Sequence, residues 1–168
     1  MAYAFRSLNT DDMVDVTRIY NYYVAHTTVS FHMAPRTKEE MTAMLLHPGG
    51  PFGAYALTEG GNLAGYCALV PFSAREAYAV TAELSLYLEP DVRRQGYGQA
   101  MLDFLENEAA KKGFVSLMAR VTAENTASVG LFGKNGYTRA GYYEKIGCKF
   151  GKLLDVIAFQ KVLQKESI

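Results

Sequence analysis

The feature that most constrains the fold is a strand that runs into a glycine-bearing loop and then a helix. Residues 83–88 alternate polar and apolar side chains, which predicts a strand with leucines on one face and Glu83 on the other. Gly96 and Gly98 follow in the loop, and apolar residues at helical spacing then predict a helix that ends near Gly113. A strand–loop–helix unit favours a sheet covered by helices.

Signals on either side of this unit predict a mixed series of helices and strands. A helix is expected over about 11–25, and a short helix follows a capping box formed by Thr37 and Glu40. A glycine turn joins two strands that are expected over 52–59 and 63–70. The remaining predicted elements are a strand over 115–121, a helix over 125–134 and strands over 137–144 and 153–162. We therefore expect an α/β (α+β) three-layer fold, a mixed central sheet flanked by helices, in a single domain spanning 1–168.

The charge balance and the apolar segments exclude several classes of protein. Lys plus Arg and Asp plus Glu both number 17, so no overall field would hold a polyanion and nucleic acid is not an expected partner. No apolar run approaches the roughly 18–20 residues that span a bilayer, and no targeting signal precedes the first helix, so we expect a cytoplasmic protein without a membrane partner. Cys67 and Cys148 are predicted to be buried free thiols, and the histidines lack metal-ligand spacing.

The loop between the strand and the helix predicts an anion site. The first N–H groups of a helix have no partners within it, and they lie at the positive end of the helix dipole. Glycines would let a phosphate approach the backbone, and Arg93 and Arg94 add positive charge. The spacing is neither that of a P-loop nor that of a dinucleotide fold, which disfavours ATP and NAD. A plain strand-to-helix turn is the alternative at this point.

The same residues resemble a known family. Arg93-x-x-Gly96-x-Gly98 after an alternating strand is similar to the acetyl-coenzyme A pyrophosphate loop of the GCN5-related N-acetyltransferase (GNAT) superfamily. Asn125-x-x-Ser128 and the turn at 134–137 follow in the expected order, so the resemblance covers nearly the whole chain. Within the superfamily, three segments resemble the phosphinothricin and methionine sulfoximine acetyltransferases: 19–24, 74–83 and 147–156.

The resemblance implies an acetyl-CoA-dependent acyltransferase and assigns roles to individual residues. Strand backbone would pair with the pantetheine arm, loop N–H groups would hold the pyrophosphate, and Asn125 would lie near the thiol. The implied donor-binding residues are Leu86, Tyr87, Leu88, Arg93, Arg94, Gln95, Gly96, Tyr97, Gly98, Gln99, Asn125 and Ser128. The implied acceptor-binding residues are Arg75 and Tyr78, with Tyr22 and Phe31 as further wall candidates. A homodimer is also expected.

The chemistry independently favours Glu83 as a general base. A primary ammonium with a pKa near that of lysine, about 10.4, is almost wholly protonated at pH 7, and only the free amine attacks a thioester. A strand carboxylate beside the donor loop could accept the proton, directly or through water. A salt-bridged strand glutamate is the alternative interpretation. The oxyanion would need a backbone N–H, which we expect where this strand bulges.

Two departures from the family pattern affect these expectations. Phe132 occupies the position where a Tyr or His can assist the leaving thiolate, so Tyr137, Tyr142 and Tyr143 are unranked substitutes. Ala79 follows Tyr78 where sulfoximine-type relatives carry an arginine, which leaves Arg75. We predict acetylation of a small amino-acid-like primary amine of the phosphinothricin or methionine sulfoximine type. The alternatives are acetylation of a peptide N-terminus or a polyamine, and a non-catalytic acyl-CoA-binding module.

Overall fold

The computed structural model describes residues 2–92 and 96–164. The strands in these residues are β1 (Tyr3–Ser7), β2 (Gly53–Glu59), β3 (Asn62–Pro71), β4 (Thr81–Leu88), β5 (Ser116–Thr122), β6 (Thr138–Lys149) and β7 (Lys152–Val162). The α-helices are α1 (Met13–His26), α2 (Lys38–Leu45), α3 (Tyr97–Lys111) and α4 (Thr126–Lys134). Short 3₁₀ turns precede α1 and β4, at Thr10–Asp12 and Glu76–Val80.

The strands form one mixed sheet in the order β1-β2-β3-β4-β5-β7-β6. Only the β4–β5 pair is parallel among the pairings of the described residues. The predicted mixed sheet flanked by helices is confirmed, but β1 was not predicted. Its side chains are mostly exposed, so Tyr3–Ser7 carries little of the burial pattern that identifies a strand.

Helices cover both faces of the sheet, because each face presents a separate apolar cluster. On one face, α3 and α4 bury Leu105 and Phe132 against β4 and β5 residues such as Leu84 and Leu117. On the other face, α1 and α2 pack against β2 and β3 around Tyr66. The result is the predicted three-layer arrangement, with strands β4 and β5 at its centre.

Strands β4 and β5 diverge soon after they meet. They pair only where Thr81–Glu83 lies beside Ser116–Met118, whereas β4 stays paired with β3 as far as Leu88 and β5 stays paired with β7 as far as Thr122. The sheet therefore opens into a fork beyond Glu83. The register between β3 and β4 is continuous, so the bulge that we expected in β4 is wrong.

The two cysteines differ in exposure. Cys67 lies in the core, where burial raises the pKa of its thiol, but Cys148 is exposed. Both are free thiols, as predicted, while the predicted burial of Cys148 is wrong. Cys148 lies on β6, which is an edge strand whose side chains are mostly exposed.

Residues 2–92 and 96–164 contain no helix that is both long enough and apolar enough to cross a membrane. No group of three or more His, Cys, Asp or Glu side chains in those ranges is arranged to hold a metal ion.

Candidate active site

A cavity of about 760 Å³ occupies the fork between β4 and β5; we refer to it as the fork cavity. Its walls come from β4, β5, the start of α4 and the segment after α1. The wall residues include Tyr20, Ser30, Phe31, His32, Phe72, Glu83, Leu86, Tyr87, Arg120, Asn125, Ser128, Phe132 and Tyr143. The volume lies in the range of small-molecule sites, so the fork cavity is large enough for a substrate.

Glu83 and Arg120 meet where the fork opens. Glu83 Oε1 accepts a hydrogen bond from Arg120 Nε at 3.1 Å, and Glu83 Oε2 accepts one from Arg120 Nη2 at 2.6 Å. The Glu83 side chain is 18% exposed and that of Arg120 is 54% exposed. The guanidinium carbon also lies 5.6 Å from the centre of the Phe72 ring. The predicted base thus lies in the fork cavity, in the salt-bridged form that we weighed as its alternative.

Aromatic rings support the β4 wall of the cavity. Tyr87 stacks on Tyr66 with ring centres 5.4 Å apart, and the rings of Tyr20 and Tyr23 meet it edge-on. Burial raises the pKa of Tyr87, so its hydroxyl stays protonated. The Tyr23 hydroxyl donates to the Leu88 carbonyl at 2.7 Å, which ties α1 to the end of β4. Leu86 and Tyr87 line the fork cavity, whereas Leu88 is not among its lining residues.

A polar cluster lies where α1 and the segment after it reach the cavity. The Tyr20 hydroxyl lies 2.8 Å from Ser30 Oγ and 2.5 Å from His32 Nδ1. Burial lowers the pKa of His32, and the positive charge of Arg36 lowers it further. Burial also raises the pKa of Tyr20. The cluster is therefore uncharged near neutral pH.

The start of α4 brings two predicted donor-binding residues to the cavity. Asn125 is the N-cap of α4, and its side-chain oxygen accepts a hydrogen bond from Ser128 N at 3.2 Å. This cap occupies part of the hydrogen-bonding capacity of the amide and holds it beside the fork. Asn125 and Ser128 both line the fork cavity.

Helix α3 begins directly after Gly96, the first glycine of the predicted loop. Gly96 has φ +75°, a conformation that favours glycine, and a Cβ there would meet no other atom within 4 Å. Gly96 is the N-cap of α3 and makes no side-chain cap. The Gln99 and Asn135 side chains exchange hydrogen bonds of 2.8 and 3.0 Å, which tie α3 to α4. Tyr97 is buried and Gly98 lies next to α4. The predicted residues Arg93, Arg94 and Gln95 lie outside the described residues.

The four predicted acceptor-binding residues do not all reach the fork cavity. Phe31 lines it, while Tyr22, Arg75 and Tyr78 are not among its lining residues. Tyr22 lies on α1 against Tyr23 and His26, and Arg75 is an exposed residue at the start of a 3₁₀ turn. Tyr78 comes near the cavity indirectly, because its ring contacts the lining residue Phe72 with 5.4 Å between centres.

Phe132 gives the cavity an apolar wall at the position of the expected acid. It is 4% exposed and packs between Tyr137 and Phe159, with ring centres 5.0 and 5.6 Å away. Of the three substitute tyrosines, Tyr137 lies in the core and burial raises its pKa. Tyr142 is exposed and hydrogen-bonds to Asp155, so among the three only Tyr143 lines the cavity.

Sequence reasoning missed Arg120, Phe72 and the Tyr20–His32 contact. One signal for Arg120 was present, because β5 places Met118, Arg120 and Thr122 on the same face as Glu83 of the neighbouring strand. Finding it required the β4–β5 register, which the sequence pattern does not specify.

Known proteins with similar sequences are acetyltransferases. A phosphinothricin N-acetyltransferase of Streptomyces coelicolor is 31% identical over 157 residues, which cover 91% of this chain and 92% of that protein. An L-methionine sulfoximine/L-methionine sulfone acetyltransferase of Salmonella typhimurium is 26% identical over 159 residues, covering 93% and 92%. These similarities confirm the predicted resemblance to both groups.

The fold also matches solved acetyltransferases. One is a GNAT superfamily phosphinothricin acetyltransferase from Sinorhizobium meliloti in complex with acetyl-CoA, with a TM-score of 0.90 and 26% identity over 97% of this chain and 89% of that one. Residues 5–158 match the family described as acetyltransferase (GNAT) domain, which is most of the chain. The chain therefore belongs to the GNAT acetyltransferase family and is an acyltransferase.

Proposed function

We propose that this enzyme transfers the acetyl group of acetyl-CoA to the primary amine of a small amino-acid-like substrate, with Glu83 as general base. The observation that carries the proposal is the position of Glu83, which is the last residue of β4 that pairs with β5 and lies where the fork cavity begins. The similarity to enzymes named for phosphinothricin and methionine sulfoximine supports the substrate class.

Three features of the chain fit the donor. The edge of β4 beyond Glu83 has no β5 partner, so its backbone groups are available to an extended amide-containing arm. The first turn of α3, whose N-cap Gly96 carries no side chain, fits a pyrophosphate. Asn125 and Ser128 line the cavity and would lie near the thioester. Bound there, acetyl-CoA supplies an activated acetyl group.

Glu83 would prepare the acceptor amine. Its carboxylate would accept a proton from the ammonium group, directly or through one water, which frees the nitrogen lone pair for attack on the acetyl carbon. The amine would approach from the face of the sheet that carries Glu83 and Arg120. Both substrates would be bound before a direct transfer, because no Cys–His pair lies among the residues that line the cavity in the described ranges.

The leaving thiolate would need little assistance from the protein. A thiol with a pKa near 8.5, taking cysteine as the example, gives a fair leaving group without a protein acid. Phe132 cannot donate a proton, and Tyr143 is the cavity-lining tyrosine among the three substitutes. We propose that water or Tyr143 protonates the thiolate after it leaves.

We also propose that residues 1–168 form one N-acetyltransferase domain that works as a cytoplasmic homodimer. Two free thiols suit a reducing compartment. The β6 edge strand exposes Tyr142, Tyr143 and Ile146, and exposed apolar side chains grouped in this way are typical of an interface. Light scattering during size-exclusion chromatography should give twice the 18.6 kDa of one chain. A mass of one chain would contradict the homodimer.

The proposed activity is tested by thiol release from acetyl-CoA with a panel of amines. The panel contains L-phosphinothricin, L-methionine sulfoximine, L-methionine sulfone, spermidine and a peptide with a free N-terminus, and mass spectrometry identifies the products. We expect acetylation of at least one of the three amino-acid-like compounds. Acetylation of only the peptide or the polyamine would overturn the substrate class, and binding of acetyl-CoA without transfer to any amine would overturn the enzymatic role.

A further inference from the structure

We propose that Arg120 binds the carboxylate of the acceptor amino acid while Glu83 receives its ammonium group. This inference rests on the proposed function and assigns a specificity-determining residue to it. The two side chains would act as a matched pair for a zwitterion.

The charges that line the fork cavity are few. Among its lining residues in the described ranges, Glu83 is the only carboxylate and Arg120 is the only side chain with a permanent positive charge. The lining residue His32 stays mostly neutral at neutral pH, because burial lowers its pKa below the ordinary value. A cavity with one charge of each sign matches a substrate that carries one ammonium and one carboxylate on the same carbon.

The contact between the two side chains gives them the right spacing. An α-amino acid carries its two charged groups as near neighbours, so the groups that bind them must also be neighbours. Glu83 and Arg120 are joined by hydrogen bonds of 3.1 and 2.6 Å. When the zwitterion enters, the Glu83 carboxylate would release the Arg120 guanidinium and bind the ammonium group of the substrate. The Arg120 guanidinium would then bind the carboxylate of the substrate. No net charge is buried or left unpaired by this exchange.

The guanidinium is accessible and supported. Its side chain is 54% exposed, against 18% for Glu83, so the arginine extends toward the open part of the cavity. The Phe72 ring lies 5.6 Å from its carbon and limits the directions it can take. In the free enzyme two of the five N–H donors of the guanidinium bind Glu83, and the exchange would release them for bidentate binding of the substrate carboxylate.

Arg120 is better placed than Arg75, the arginine that the sequence analysis assigned to the acceptor. Arg75 is an exposed residue outside the cavity lining. Arg120 supplies a guanidinium from β5 instead, directly beside the proposed base.

The test compares L-methionine sulfone with its α-carboxamide, which keeps the amine and removes the negative charge. Arg120→Met should raise the KM for the acid by about 10- to 150-fold, the range expected for a lost charged hydrogen-bond contact, and leave the KM for the amide nearly unchanged. The KM of Arg120→Lys for the acid should lie between that of Arg120→Met and that of the wild type. Arg18→Met is the matched control, since Arg18 is 56% exposed and forms a similar two-bond pair with Glu89 outside the cavity.

A second readout separates binding from chemistry. Calorimetry with N-acetyl-L-methionine sulfone, which retains the carboxylate, should show a comparable loss of affinity in Arg120→Met without any turnover. Melting curves verify that each variant folds. Equal effects on acid and amide would mean that Arg120 acts only through Glu83 and would overturn the inference, as would no effect on either. If the wild type acetylates neither compound and no other amino acid of the panel, the proposed function fails and this inference with it.

Discussion

Replacement of Glu83 by Gln tests the chemical step most directly. The substitution keeps the size and a hydrogen-bonding oxygen, so one of the two contacts with Arg120 can persist. Because the ion pair is partly exposed, its loss should change the free energy of unfolding by about 1 kcal/mol or less. A large loss of activity in a stably folded variant would therefore report on chemistry.

The expected magnitude follows from the lining of the cavity. Glu83 is its only carboxylate among the described residues, so no neighbouring acid can take over the proton. General base catalysis contributes about 10²- to 10⁴-fold, and kcat/KM at pH 7 should fall by that factor. The variant can use only amine that has already lost its proton, which is a small fraction at pH 7. Its kcat/KM should therefore rise about tenfold per pH unit, until the pH reaches the pKa of the amine.

The assay is thiol release from acetyl-CoA between pH 6.5 and 9.5, with acetyl-CoA affinity measured by calorimetry. The affinity for acetyl-CoA should be nearly the same in Glu83→Gln and in the wild type. Glu89→Gln is the matched control, since Glu89 is 20% exposed and pairs with Arg18 through bonds of 2.8 and 2.7 Å, away from the cavity lining. If Glu83→Gln retains the activity of the control at pH 7, or shows the same pH profile as the wild type, Glu83 is not the base.

Three further substitutions test other parts of the site. Phe132→Ala should lower the free energy of unfolding by about 3–5 kcal/mol in a urea titration, because Phe132 is 4% exposed between two rings; a loss below about 1 kcal/mol would contradict that packing. Asn125→Ala removes the N-cap of α4 and should cost about 1 kcal/mol, with weaker acetyl-CoA binding by calorimetry; unchanged binding would remove Asn125 from the donor site. Burial lowers the pKa of His32, so this histidine binds a proton more tightly in the unfolded chain than in the folded protein. The wild type should therefore lose stability as the pH falls below about 6.5, and His32→Gln should lose less. Urea titrations at several pH values measure this, with exposed His26→Gln as the control; parallel curves for wild type and His32→Gln would contradict it.

The sequence predicts the regular elements well where local signals agree. The capping box at Thr37 and Glu40 forms as expected, and the helix it starts runs over Lys38–Leu45. The edge strands are predicted less well. β6 continues to Lys149, past the expected end near Glu144. The prediction ended too early because the strand has an irregular stretch there, in which Lys145 has φ +52°. A strand that changes register in this way does not show a simple alternation of side chains.

The candidate site was predictable only in part, for a similar reason. Glu83, Leu86 and Asn125 belong to local patterns, and all three line the fork cavity. The partner of Glu83 is 37 residues away in the sequence and belongs to a strand that pairs with β4 over three residues. Contacts of that kind depend on sheet register, which no local pattern encodes.

The short pairing between β4 and β5 also means that hydrogen exchange of the β4 amides can report whether a ligand is bound. Among the described residues, β4 pairs with β5 only over Thr81–Glu83 and Ser116–Met118, so amides on the fork side of Leu84–Leu88 have no strand of that part of the chain to shield them. Hydrogen–deuterium exchange there should be fast in the free enzyme and slow once an extended ligand lies along the strand. Amide exchange in β4 would therefore detect a bound ligand whether or not any reaction follows.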